Sequence, residues 1–196
     1  MSRVAEGERT TNETSVKVRL DLDGSGATNI STGVPFFDHM LEQLGKHAGF
    51  DLDIAAEGDL QIDSHHTVED VGIVLGTALT QALGNKHGVR RYGWSIVPME
   101  EALVQVAVDL SGRPFLAFKV EVPAEAIGNY DPDLTEEFFV ALTRSSAMTL
   151  HMSLLDGRNS HHIVEAVFKS FAQALKSATE IDSRRAGVLP STKGVL

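Results

Sequence analysis

The segment His65-His66-Thr67-Val68-Glu69 recurs 96 residues later as His161-His162-Ile163-Val164-Glu165. The register continues beyond the polar residues: Val71 falls on Val167, Leu75 on Phe171, Ala78 on Ala174 and Leu79 on Leu175. Upstream, an offset of 98 sets Met40, Leu41, Leu44 and Leu52 against Phe138, Phe139, Leu142 and Leu150, and the short Leu155–Ser160 loop absorbs the two-residue difference. A chain that repeats its apolar positions over such a distance is built from two copies of one supersecondary unit, neither of which buries its hydrophobic face alone.

The apolar spacing within each copy defines the unit. Val68, Val71, Leu75 and Leu79, and their equivalents Val164, Val167, Phe171 and Leu175, recur at helical intervals. Ser64 and Ser160 stand where N-caps belong. The first copy reads as a strand over 16–22, a helix over 34–47, a strand over 51–57 and the motif helix over 65–83. The second has strands over 102–110 and 114–122, a helix over 134–146, a strand over 148–154 and the motif helix from His161, with 94–99 as a further strand. This predicts an α+β fold of two pseudo-twofold-related halves, each a sheet with helices on one face. Residues 1–90 form the first half and 91–196 the second, together one compact domain.

Composition narrows the chemistry. The 196-residue chain has no cysteine, so a metal site can use only His, Asp and Glu, and disulfides are excluded. A net charge of -10 disfavours nucleic acid or an anionic membrane as partner. The polar N-terminal stretch has no apolar signal core, and no window reaches the length of a membrane span, so a cytoplasmic location is expected.

On a helix, residues four apart share a face, so His65 and Glu69 can hold one ion while His66 points about 100° away. The same holds for His161, Glu165 and His162. One helix cannot complete a transition-metal shell, so the remaining ligands must come from the other repeat or from another subunit. Packing explains repeated apolar positions but gives no reason to keep two adjacent histidines and a glutamate twice. The 98-residue offset also sets His39 opposite Glu137, both metal-competent. Gln43 and His47 follow His39 at four-residue steps, a polar stripe on the first helix. Lys169 lies on the same face as His161 and Glu165. His87 and His151 show no such relation and read as structural or surface residues.

Five segments, Pro35-Phe36-Phe37-Asp38-His39-Met40-Leu41, His65-His66-Thr67-Val68-Glu69-Asp70, Asp109-Leu110-Ser111-Gly112-Arg113-Pro114, Ser160-His161-His162-Ile163-Val164-Glu165-Ala166 and Pro190-Ser191-Thr192-Lys193-Gly194, follow one another over nearly the whole chain. In these the chain resembles the imidazoleglycerol-phosphate dehydratase family of histidine biosynthesis. The resemblance implies halves of the ribosomal-S5-domain-2-like type, two divalent metal ions per active site, Mn2+ by family, and a 24-subunit shell built from trimers. It also implies a substrate, D-erythro-imidazole glycerol phosphate, and a product, imidazole acetol phosphate. Matching the family's N-terminal Glu-Arg-Thr-Thr-x-Glu-Thr pattern points to Glu13 as the catalytic base. Arg91, Arg113, Lys169, Ser191, Thr192 and Lys193 are then the substrate's phosphate and hydroxyl partners, with Gln43 and His47 beside them. Many family members carry histidine where this chain has Glu137, which leaves the site one more negative charge.

By symmetry one ion takes His65, Glu69, His162 and Glu137, and the other His161, Glu165, His66 and His39. The dehydration removes a hydrogen that no carbonyl acidifies, so the imidazole ring of the substrate must serve as electron source and sink. From the residues alone two other readings stand: a dinuclear metallohydrolase using the same ligands, and a structural metal site that cements subunits.

Overall fold

The structure is a computed structural model, and it describes residues 3–123 and 126–196. In chain order the elements are β1 (Val4–Thr10), β2 (Thr14–Asp21), β3 (Thr28–Ser31), α1 (Pro35–Ala48), β4 (Asp51–Gly58), α2 (His65–Leu83), β5 (Tyr92–Met99), β6 (Ala102–Asp109), β7 (Phe115–Lys119), α3 (Asp133–Ser146), β8 (Thr149–Asp156) and α4 (Ser160–Thr179). A short 3-10 turn, Ser183–Arg185, leads into the C-terminal tail.

The two sheets have the same strand order, β1-β2-β4-β3 and β5-β6-β8-β7. In each, the first three strands are antiparallel and the fourth joins in parallel. Alternation along β2 buries Val16, Val18 and Leu20, and along β6 it buries Val104, Val106 and Val108. The intervening residues Lys17, Arg19, Gln105 and Ala107 face solvent, so one face of each sheet is apolar. That face rests on helices. The helices then pair between the halves, α1 against α4 and α2 against α3. Phe37 of α1, Phe138 and Phe139 of α3, and Phe168 and Phe171 of α4 fill the junction, with ring centroids 5.0–5.5 Å apart. The halves thus share one core, as their lone apolar faces require.

Two strands lie outside the sequence expectation. β1 pairs with β2 as an edge strand in which Ala5 is the buried residue, and β3 has no buried residue. Strand β7 is shorter than the expected 114–122. The expected serine caps are corrected: neither helix is capped by a serine hydroxyl in the role assigned. Asp63 Oδ1 accepts from the His65 amide at 2.8 Å, and Asn159 Oδ1 accepts from the amides of His161 and His162 at 3.0 and 3.3 Å. Asp63 and Asn159 are themselves 96 residues apart, so the cap is duplicated one position before the serines, at residues whose side-chain oxygen reaches two positions forward.

Candidate metal centre

Pairing of α1 with α4 brings His39 onto the motif of the other half. His161 Nε2 lies 3.1 Å from Glu165 Oε2, His39 Nε2 lies 3.6 Å from the same oxygen, and the three donor atoms all fall within 4.8 Å of one another. Adjacent ligands of an ion bound at roughly 2.1 Å stand about 3 Å apart, so two nitrogens and a carboxylate at these separations fit a divalent cation. Glu165 is 6% exposed and its other oxygen meets Lys169 Nζ at 2.5 Å. Burial alone would raise its pKa. The lysine, His161 and His39 outweigh that and hold the carboxyl below its ordinary value, so it is present as carboxylate. Phe36 closes one side, its ring edge-on to His161 at 5.1 Å.

The second histidine of each motif points elsewhere, as the 100° helical step requires, the two rings in each pair standing 87° and 84° to one another. His66 Nδ1 lies 3.0 Å from Asp59 and 3.9 Å from Glu13. His162 Nδ1 lies 2.8 Å from Glu101. A carboxylate only accepts, so Nδ1 carries a proton in both. Asp59 raises the pKa of His66 chiefly through that hydrogen bond. Glu101 falls to about 2, because His162 and the Asn159 amide both donate to it. Asp59 and Glu101 were missed by the sequence reading; the hairpin register and the residue following the β4 glycine were the signals that could have found them.

Pairing of α2 with α3 places Glu137 on the helix that follows His65 and Glu69. All three are half-buried, but among the described residues only His39, His161 and Glu165 draw together into a cluster of donors. The α2–α3 contact is tighter than α1–α4 at the equivalent level. A Cβ on Gly72 would stand 2.8 Å from the Phe138 carbonyl oxygen, and one on Gly76 would stand 2.7 Å from that of Leu142, whereas the α4 equivalents are Phe168 and Ala172.

The polar stripe on α1 faces the α4 motif. His47 Nε2 is 3.1 Å from Gln43 Oε1, and burial, then the charge of Lys169, lowers its pKa, keeping the ring neutral. Of the anion-binding candidates, Lys169 reaches the cluster through Glu165, and the others sit elsewhere. Arg91 is held at the C-terminal end of α4, its amide donating to the Ala178 carbonyl, its guanidinium to Asp109 at 2.7 Å and to the Pro190 carbonyl at 2.8 Å. Arg113 is exposed on the turn after β6, and the tail carrying Ser191, Thr192 and Lys193 runs beside that turn, Leu196 packing on Gly112. Ala178 is seventeen residues beyond His161 on one helix, about 25 Å at 1.5 Å per residue. Within one chain Arg91 therefore stands at the far end of α4 from the metal-competent cluster, whereas Lys169 reaches it.

Fold and site together define a duplicated α+β protein whose paired helices gather imidazole and carboxylate donors able to hold a divalent cation. The family model for imidazoleglycerol-phosphate dehydratase matches residues 32–175. Imidazoleglycerol-phosphate dehydratases of Synechococcus sp. (strain CC9605) and Microcystis aeruginosa (strain NIES-843 / IAM M-2473) are 59% and 58% identical, covering 100% and 99% of this chain and 97% and 93% of theirs. The crystal structure of the Staphylococcus aureus subsp. aureus N315 enzyme superposes with a TM-score of 0.83 at 38% identity, over 91% of this chain and 99% of that one. That from Pyrococcus furiosus, in complex with (S)-C348, gives 0.83 at 39% identity, over 96% and 99%. The chain belongs to the imidazoleglycerol-phosphate dehydratase family, the hydro-lyases of histidine biosynthesis. Among the described residues no helix is long and apolar enough to cross a membrane.

Proposed function

We propose that this chain dehydrates D-erythro-imidazole glycerol phosphate to imidazole acetol phosphate in the cytoplasm, with two divalent cations, Mn2+ being expected, at each active site. The observation that carries the metal assignment is the convergence of His39, His161 and Glu165 across the α1–α4 contact, while His162, held by Glu101, presents its free nitrogen away from that point. His39, His65, His66, Glu69, Glu137, His161, His162 and Glu165 are the ligand set. When bound, the cations supply Lewis-acid polarisation of the imidazole ring and of the departing hydroxyl.

The protein groups do the rest. Glu13, exposed on the β1–β2 turn beside His66, removes the carbon-bound proton. Gln43 and His47 present their polar groups from α1 toward the α4 motif, and Lys169 keeps Glu165 anionic and offers a cation. Arg91, Arg113, Ser191, Thr192 and Lys193 hold the phosphate. The length of α4 between Arg91 and His161 supports a site shared between copies, in keeping with assembly into a 24-subunit shell of trimers. Residues 1–90 and 91–196 serve as the two halves of one domain within each copy.

Metal analysis of the purified protein alongside a turnover assay with the phosphate ester tests this reading. Two divalent ions per chain and a ketone product that retains phosphate are expected, and Glu13→Gln should remove turnover without altering metal content. Release of inorganic phosphate, or turnover that survives both His65→Ala and His161→Ala, would overturn it.

A further inference from the structure

The two hairpins β1–β2 and β5–β6 have the same register, Val4 opposite Asp21 and Tyr92 opposite Asp109, so Glu13 and Glu101 occupy one structural position, each immediately before its second strand. Their side chains are employed differently. Glu101 is 28% exposed, 2.8 Å from His162 Nδ1, and its other oxygen accepts from the Asn159 amide at 2.7 Å. Glu13 is 57% exposed and 3.9 Å from His66 Nδ1, whose partner is instead Asp59, 12% exposed and 3.0 Å away.

The reason lies in the link from the fourth strand to the motif helix. A bulge between Leu103 and Val104 in the β6–β8 ladder shifts the register by one, so Gly157 is the counterpart of Gly58. The packing agrees: a Cβ on Gly58 would strike Thr67, and one on Gly157 would strike Ile163, residues 96 apart. The residue after the glycine is then Asp59 in the first half and Arg158 in the second. The second half has no acid at that position, and the hairpin glutamate meets its histidine instead.

We infer that Asp59 and Glu101 are positioning residues that fix the Nδ1–H tautomer and ring direction of His66 and His162, and that Asp59, by taking this duty in the first half, leaves Glu13 free to meet substrate. The inference rests on the proposed metal ligation and on Glu13 as base. Carboxylates behind a ligating imidazole set its orientation and basicity, and their removal costs about 10–100-fold in metal affinity.

The test is Mn2+ affinity of the full-length protein, measured by competition with a chromophoric chelator, with turnover measured in parallel. Glu101→Ala should weaken one ion per chain by about 10–100-fold and Asp59→Ala the other by a similar factor. Glu13→Gln should weaken neither while removing turnover. Glu101→Gln and Asp59→Asn, which keep size and one acceptor oxygen, should recover part of the affinity and provide folded variants should the alanines fail. Unchanged affinities in Glu101→Gln and Asp59→Asn, or a loss in Glu13→Gln equal to that in Glu101→Gln, would overturn the division of roles. An unaltered protein that takes up no metal would instead sink the proposed function, a result distinguishable from the first.

Discussion

Glu165→Gln separates the structural and metal-binding duties of the cluster. Glutamine keeps the shape but not the charge, so Lys169, 19% exposed and 2.5 Å from Glu165, loses its ionic partner, and His161 loses a carboxylate acceptor. Hydrogen bonds to charged groups contribute about 1.5–3 kcal/mol, and discounting for the solvent that still reaches Lys169 leaves about 1–2 kcal/mol lost from metal-free protein. The larger consequence appears with metal. At a free metal concentration of 100 times Kd, binding stabilises the folded state by about 2.7 kcal/mol; a 100-fold rise in Kd reduces that to about 0.4 kcal/mol. Denaturant unfolding at fixed protein concentration, with Mn2+ and with chelator, reads both quantities. The native chain should show a large metal-dependent increment and Glu165→Gln almost none, over a slightly lowered metal-free baseline. An undiminished increment in the variant would refute the assignment of His39, His161 and Glu165 as one cation site. An unchanged metal-free baseline would refute the ion-pair argument.

Gly72→Ala gains about 1 kcal/mol of helix propensity but forces a methyl to 2.8 Å from the Phe138 oxygen and 2.9 Å from Ala141 Cβ. Overpacking of this kind costs about 1–3 kcal/mol, so a net loss of up to about 2 kcal/mol is expected as a lowered denaturant midpoint; a raised midpoint would show that α3 yields freely. Asn159→Ala removes the acceptor for two helix-terminal amides and should cost about 1 kcal/mol, read as a lowered denaturant midpoint. Arg91→Ala should release the tail from its anchor at Pro190, so limited proteolysis beyond residue 186 should quicken, while Arg90→Ala, in an exposed pair with Glu180, should leave the cleavage rate unchanged.

The helices and inner strands were legible because each buries a continuous stripe. Val68, Val71, Leu75 and Leu79 declare α2, and Val16, Val18 and Leu20 declare β2, before any fold is known. β1 and β3 were not legible, since periodicity registers only burial. β1 reads Val-Ala-Glu-Gly-Glu-Arg-Thr with only Ala5 buried, and β3 is Thr-Asn-Ile-Ser with none. Both are edge strands, held by backbone pairing to a neighbour on one side. The motif histidines were visible as a repeat, but that α1 crosses to α4, and so joins His39 to His161, is a property of the shared core. Asp59 and Glu101 lie in turns, where neither apolar spacing nor the 96-residue offset reaches, and only strand register reveals that Glu101 stands where Glu13 does.

Duplication makes two copies of every element, yet the positions nearest the donors are where the copies have parted. His39 faces Glu137, Gly72 and Gly76 face Phe168 and Ala172, and Asp59 faces Arg158. The apolar stripes keep their register, because both halves contribute to one core and a misplaced volume in either is felt by the other; where volumes differ, as at Gly72 and Phe168, the helix contacts differ with them. The link after the fourth strand is free of that constraint: it is exposed, and a one-residue bulge with a shorter loop changes which side chain reaches the second histidine. A symmetric scaffold can therefore present unlike surroundings to its two histidine pairs. The proposed dehydration would use that inequality: with Asp59 on His66, Glu13 is left as the carboxylate proposed to take the substrate's proton.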